Sequence, residues 1–200
     1  MNQLVIIFLL VYFVLFFGVA VIWRNYSVVK STGINAFKLN QQSGVEAITG
    51  LYFKCLPLLS IVVFVMFAQF PELYLLMGPI KLLSYAWIQY VGAAIMCFAL
   101  IWVVVAQSQM GASWRIGIDH DQKTAFVQSG LFKYSRNPIF VGIIAISLGY
   151  FLVLPNSITF AILVLDIALI QVQVAMEEDY LTLQHGQEYN VYCRQVRRWL

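Results

Sequence analysis

Two polar groups stand at opposite ends of the last apolar stretch of the sequence. The first is Arg136-Asn137-Pro138, within the string YSRNPIFVG, and the second is the acidic pair Glu177 and Glu178. A guanidinium at a helix N-terminus suits an anion, because backbone N–H groups and the helix dipole favour negative charge there. The acidic pair offers the opposite charge, which suits an ammonium group. An arginine before an apolar run is equally expected as an anchor of membrane orientation, so this stretch alone leaves both interpretations open.

A polar stripe leads from the middle of that apolar stretch to the acidic pair. At 100° per residue, Asp166, Gln173 and Glu177 fall on one helical face, within about 20° of each other. An ionisable side chain inside a membrane span is costly and usually faces protein or water. We therefore expect the stripe to point into a helical bundle, towards a polar cavity. For Asp166 alone, packing against a serine or a backbone group is as strong an interpretation as a direct role.

The composition indicates an integral membrane protein. The 200 residues are 62% hydrophobic and only 10% charged, whereas a soluble domain carries about a quarter charged residues. Cys55, Cys97 and Cys193 lie far apart, and His120 and His185 are isolated, so neither a disulfide framework nor a metal site is expected. The net charge of +3 is small and is better explained by membrane topology than by affinity for nucleic acid.

The uncharged runs predict five transmembrane helices in an all-α fold, regarded as a single domain overall. Residues 1–106 form a three-span scaffold, with one span at 4–23, one between Lys54 and Glu72, and one at 82–106. Residues 107–200 comprise a loop, two further spans at 138–154 and 158–176, and a C-terminal tail with a cytoplasmic helix. Pro155-Asn156-Ser157 divides the last two spans and predicts a tight helical hairpin.

The distribution of lysine and arginine predicts the orientation of these spans. The basic residues concentrate in the segments after the first and third spans and in the tail, whereas the other side holds only Lys81. The positive-inside rule then places the N-terminus outside, and the C-terminus and the site in the cytoplasm.

The C-terminal half, residues 110–200, resembles the isoprenylcysteine carboxyl methyltransferase family and its prokaryotic relatives. The wider group includes phospholipid N-methyltransferases. The resemblance rests on MGASWRIGID, on FVQSGLFKYSRNPIFVG and on EEDYLTLQHGQEYNVYCRQVRRWL. It includes an R-[HN]-P-x-[YF]-x-G motif and an E-E-x-x-L-x-x-x-x-G-x-x-Y-x-x-Y motif, in this order, on either side of the predicted hairpin.

The resemblance implies a membrane-embedded methyltransferase that uses S-adenosylmethionine. It assigns Arg136 to the reacting groups. If the acceptor is an amine or a thiol, the candidate bases are Glu178, His185 and Tyr189. The cofactor-binding residues that it implies are Ala125, Phe126, Val127, Phe132, Asn137, Pro138, Ile139, Phe140 and Glu177. Asn137 and Phe140 replace a histidine and a tyrosine of the family pattern. Gln173 stands where the prenylcysteine enzymes have an arginine linked to the substrate, which puts a carboxylate substrate in doubt.

The expected partners are a lipophilic acceptor from the bilayer and membrane lipids, with no nucleic acid and no metal. The acceptor could be a prenylcysteine carboxylate, an amine, a thiol or another lipid-soluble molecule. One alternative is a non-catalytic membrane scaffold or transporter subunit whose polar stripe lines a path. Another is a membrane reductase that uses NADPH, since sterol reductases have a similar arginine-proline motif, although no further basic cluster suits a 2′-phosphate.

Overall fold

The computed structural model describes residues 2–38, 44–119 and 125–200, and within these ranges the chain forms helices and no β-strand. The first helix, α1, continues through a π-helical segment directly into α2. The α-helices and the π-helical segment are α1 (Asn2–Leu15), the π-helical segment (Phe16–Trp23), α2 (Arg24–Thr32), α3 (Gly44–Gln69), α4 (Pro71–Leu75), α5 (Ala86–Met110), α6 (Pro138–Val153), α7 (Ser157–His185) and α8 (Gln187–Gln195).

In the described part of the chain, four helical stretches are long and apolar enough to cross a membrane: Gln3–Thr32, Gly44–Gln69, Ala86–Ser113 and Ser157–His185. The remaining apolar helix, Pro138–Val153, has 16 residues, which is fewer than the about 20 that a helix needs to span a bilayer. The all-helical integral membrane fold is therefore confirmed. The count of five spans and their orientation stay predictions.

The hairpin between α6 and α7 forms at the turn that the sequence indicates. The Asn156 side chain accepts hydrogen bonds from the backbone N–H groups of Ile158 (2.9 Å) and Thr159 (3.0 Å). The Thr159 hydroxyl lies 3.2 Å from the backbone nitrogen of Asn156, which completes a capping box at the start of α7. Pro138 occupies the first turn of α6, where its missing N–H costs little. The hairpin thereby brings the beginning of α6 beside the end of α7.

Helices α5 and α6 approach each other closely at two glycines. A Cβ atom added to Gly92 would lie 2.7 Å from the carbonyl oxygen of Gly149, and one added to Gly149 would lie 2.7 Å from that of Gly92. Small residues at such a contact allow two membrane helices to pack backbone against backbone. Nearer the site, Trp102 of α5 donates from Nε1 to the carbonyl of Pro138 (2.8 Å), which fixes the first turn of α6.

The C-terminal tail folds back over the beginning of α6. The backbone N–H of Arg136 donates to the carbonyl of Arg197 (2.9 Å), and the Asn137 side-chain amide donates to the carbonyl of Arg198 (3.1 Å). Just before the tail, the Tyr192 hydroxyl of α8 donates to the carbonyl of Phe132 (2.6 Å). These contacts hold α8 and the tail against the segment that carries the arginine motif.

Candidate functional site

A cavity of about 590 Å³ lies between α1, the π-helical segment, α3, α5, α6 and α7, and we call it the large cavity. Aromatic and aliphatic side chains form most of its wall. Its polar and charged lining residues are Tyr12, Lys54, Ser60, Gln107, Arg115, Ser147, Tyr150, Asp166, Gln173 and Glu177. The N-terminal helices therefore contribute to the wall together with the C-terminal half.

The predicted polar stripe of α7 faces the large cavity. Asp166, Gln173 and Glu177 all line it, and the side chains of Asp166 and Gln173 are buried in the protein. Asp166 accepts a hydrogen bond from the hydroxyl of Ser147. Gln173 donates from Nε2 to Oε1 of Glu177 (2.8 Å), one helical turn away. The structure thus confirms that this face points into the bundle.

Arg136 and Glu178, the two predicted catalytic residues, bind each other. The Arg136 guanidinium donates to Oε1 of Glu178 from Nη2 (2.8 Å) and from Nε (3.1 Å). Its Nη1 donates to the carbonyls of Cys193 (3.1 Å) and Val196 (3.2 Å). Oε2 of Glu178 accepts from Nη2 of Arg198 at 2.5 Å. Both oxygens of Glu178 are therefore occupied by guanidinium groups.

A second, small cavity of about 80 Å³ adjoins Arg136. Ala125, Phe126, Val127 and Phe132, four of the predicted cofactor residues, line it together with Arg136. Tyr189 and Tyr192 of α8 also line this cavity. The structure therefore brings the loop residues of the prediction together beside the arginine motif.

Aromatic rings fill most of the space around Phe126. Its ring centroid lies 5.0 Å from that of Tyr192, 5.1 Å from His185 and 5.4 Å from Tyr189. Burial raises the pKa of Tyr192 to about 12, and burial is also the main cause that raises the pKa of Tyr189. Both phenols are consequently neutral packing and hydrogen-bonding groups over the physiological pH range.

The predicted cofactor residues thus divide between two cavities. Ile139, Phe140 and Glu177 line the large one, as does the predicted substrate residue Gln173. Met110 lines both cavities and lies where they adjoin. Asn137 and Pro138 are absent from the lining of either cavity. Their contacts are with Arg198 and Trp102 instead, so they position the beginning of α6.

A buried ion-pair cluster beside the large cavity, which Arg115 lines, was not expected. Asp119 pairs through Oδ1 with Nζ of Lys38 (3.2 Å) and through Oδ2 with Nε of Arg115 (3.2 Å). The Tyr180 hydroxyl of α7 donates to the Asp119 carbonyl (2.6 Å). Residues 115–119 are not helical, so the four-residue spacing of Arg115 and Asp119 is not a helical pairing signal, and the spacing of Lys38 and Asp119 gives no signal either. His120 lies outside the described residues.

Within the part of the chain that the structure describes, no three His, Cys, Asp or Glu side chains are placed to hold a metal ion. The charged groups that the site does offer are carboxylates, guanidinium groups and lysine ammonium groups. These suit an organic zwitterion, whose ammonium and carboxylate need partners of both signs.

Comparisons with known proteins agree with this architecture. The sequence model of the isoprenylcysteine carboxyl methyltransferase family matches residues 91–183. An uncharacterized protein of Haemophilus influenzae is 38% identical over 63 residues, which are 31% of this chain and all of that protein.

A solved structure shows the same fold. The structure of the eukaryotic intramembrane Ras methyltransferase, an isoprenylcysteine carboxyl methyltransferase, superposes with a TM-score of 0.61 at 17% sequence identity. The match covers 92% of this chain and 66% of that one, so the present chain spans just under two thirds of its length. Residues 91–183 of this integral membrane protein are therefore similar to the isoprenylcysteine carboxyl methyltransferase family, and the chain shares the fold of one such enzyme.

Proposed function

We propose that the protein transfers a methyl group from S-adenosylmethionine to a lipophilic acceptor, at a site on the cytoplasmic side of the membrane. The family supports methyl transfer. The arrangement of α6 and α7 supports the location, because their hairpin brings the arginine motif and the acidic motif within 2.8 Å of each other. The side is inferred from the lysine and arginine distribution.

The observation that carries this proposal is the charge pattern of the large cavity. Its volume of about 590 Å³ falls within the range of roughly 300–1,000 Å³ that is usual for small-molecule sites. The small cavity, at about 80 Å³, lies well below that range. The large cavity combines a mostly apolar wall with the carboxylate of Glu177 and with the cations Lys54 and Arg115. This combination of an apolar wall with charged groups of both signs fits an amphiphilic zwitterion.

The chain's own residues then have distinct tasks in our proposal. Glu177 would hold the ammonium of the cofactor, and Gln173 fixes the orientation of the Glu177 carboxylate. Ile139 and Phe140 form an apolar wall that excludes water. When bound, S-adenosylmethionine supplies a methyl group that its sulfonium has already activated. Alignment of two reactants lowers a barrier by roughly 7–11 kcal/mol in the best cases, and no nucleophilic side chain is needed.

Arg136 and Glu178 act together in this proposal. Every nitrogen of the Arg136 guanidinium already donates to Glu178 or to a carbonyl of the C-terminal region. Binding of a cofactor carboxylate by Arg136 therefore requires that Glu178 give way. Arg198 would remain as a partner of Glu178 in that event, so the exchange leaves no carboxylate without a cation.

A binding titration with S-adenosylhomocysteine tests the proposal on purified protein in detergent. Glu177→Gln keeps the size of the side chain and removes its charge. Charged hydrogen bonds are worth about 1.5–3 kcal/mol, so the variant should bind the nucleoside about tenfold more weakly or worse. Glu72→Gln, an exposed position on α4, is the matched control and should bind like the wild type. Equal binding by Glu177→Gln would remove Glu177 from the site.

A further inference from the structure

The large cavity has a second polar end, which the proposed methyl transfer does not use. Asp166 and Glu177 both line the cavity from α7, and the helical rise places them about 16 Å apart along the axis. Between these two levels the wall is mostly aromatic and aliphatic. The occupant that fits such a space is long and apolar and carries a polar group at each end.

The hydroxyl groups at the Asp166 end of the cavity already donate their hydrogen bonds to other groups of the protein. Ser147 donates to Asp166, and the Tyr150 hydroxyl donates to the carbonyl of Ser60 (2.7 Å). The Ser60 hydroxyl donates to the carbonyl of Leu56 (3.0 Å). This end of the cavity therefore presents oxygens that accept hydrogen bonds. We call Asp166, Ser147, Tyr150 and Ser60 the acceptor end.

The acceptor end favours a ligand group that can donate a hydrogen bond. The Asp166 side chain is buried, and among the described residues its one hydrogen bond comes from Ser147. A carboxylate accepts several hydrogen bonds, and burial without them is costly. A plain hydrocarbon chain would leave the remaining acceptor positions facing methylene groups. A hydroxyl or an amine would supply the missing donor.

We propose that the large cavity binds an amphiphile whose far end carries a hydroxyl or amine that donates to Asp166. The other polar end of this amphiphile lies at the level of Glu177. That the amphiphile is the methyl acceptor rests on the proposed function. The binding site at Asp166 rests on the cavity and its hydrogen bonds alone.

The test compares two probes of equal chain length, dodecanol and its α,ω-diol. An extended dodecane chain approximately matches the separation of Asp166 and Glu177. Each probe is titrated against purified protein in detergent, with binding followed by calorimetry. The wild type should bind the diol about tenfold more tightly than the alcohol, as expected for one hydrogen bond to a charged group. Aminododecanol, which places an amine at one end, should share this advantage if the donor is an amine.

Three variants show whether Asp166 is the cause of that preference. Asp166→Leu should lose it, and Asp166→Asn, which keeps the shape but removes the charge, should reduce it to about threefold or less. Ser147→Ala removes the neighbouring hydroxyl but keeps the carboxylate, so it should retain the preference. If Asp166→Leu does not fold, Asp166→Asn and Ser147→Ala still provide the comparison.

Two results would overturn the inference. One is equal affinity of the wild type for the diol, the amino alcohol and the alcohol, and the other is an undiminished preference in the Asp166 variants. A parallel titration with S-adenosylhomocysteine separates this failure from failure of the proposed function. A protein that binds the nucleoside but shows no diol preference contradicts only the site at Asp166, whereas the reverse pattern contradicts only methyl transfer.

Discussion

The ion pairs of Glu178 allow a quantitative prediction about stability. Glu178→Gln keeps the volume of the side chain and removes its charge. The carboxylate accepts from Arg136 at 2.8 Å and from Arg198 at 2.5 Å. The side chains of Arg136 and Glu178 are only 12% and 14% exposed, whereas that of Arg198 is 43% exposed. The pair with Arg136 therefore dominates the expected effect, and solvent screens the pair with Arg198.

The magnitude follows from the burial of these groups. Breaking a buried ion pair by removing one partner costs about 3–5 kcal/mol, whereas an exposed pair contributes about 0.2–1 kcal/mol. Arg136 keeps two backbone carbonyls, those of Cys193 and Val196, as acceptors after the substitution. We therefore expect the free energy of unfolding to fall by about 1.5–3 kcal/mol, the contribution of a hydrogen bond to a charged group.

Equilibrium unfolding of the purified protein by sodium dodecyl sulfate measures this change, with circular dichroism as the signal. The matched control is Glu188→Gln on α8, where an exposed carboxylate accepts from Gln128 (2.8 Å). The control should change the free energy of unfolding by at most about 0.5 kcal/mol. If Glu178→Gln is as stable as this control, the interpretation of Glu178 as the anchor of Arg136 is wrong.

Two further predictions concern packing and pH. Gly92→Ala should lower the free energy of unfolding by about 1–3 kcal/mol, because the new Cβ meets the carbonyl of Gly149. The control is Gly18→Ala, where a new Cβ has no neighbour within 4 Å. Equal stability of the two variants would contradict the close contact between α5 and α6. The phenol of Tyr192 should titrate near pH 12 instead of 10, as measured by the tyrosinate absorbance that Tyr192→Phe removes. Because burial raises the pKa of Tyr192 in the folded state, the contribution of the neutral phenol to the free energy of unfolding is complete below pH 10 and is lost as the pH rises towards 12. A normal titration of Tyr192 near pH 10 would contradict its burial.

Much of the helical architecture could be predicted from the sequence, because it depends on local rules. Uncharged runs locate the apolar part of a helix, and the Pro155-Asn156 turn locates the hairpin. The ends of the helices were harder to predict, since α3 begins at Gly44 and includes both Glu46 and Lys54. Charged residues mark where the apolar region ends, whereas backbone hydrogen bonding continues beyond it.

The site was predictable only along single helices. The 100° period places Gln173 and Glu177 on one face, and both line the large cavity. The partner of Arg136 was not predictable in this way. Glu177 and Glu178 are neighbours in sequence but point about 100° apart around α7, and the returning tail, which carries Arg198, takes part in the selection of Glu178. Such contacts join segments whose relative positions no periodicity specifies.

The most direct test of methyl transfer is a comparison of two cofactors on one preparation. Purified protein in detergent is titrated with S-adenosylhomocysteine and, separately, with NADPH. We predict saturable binding of S-adenosylhomocysteine and no saturable binding of NADPH. Binding of NADPH without binding of S-adenosylhomocysteine would contradict the methyltransferase proposal and favour a membrane reductase.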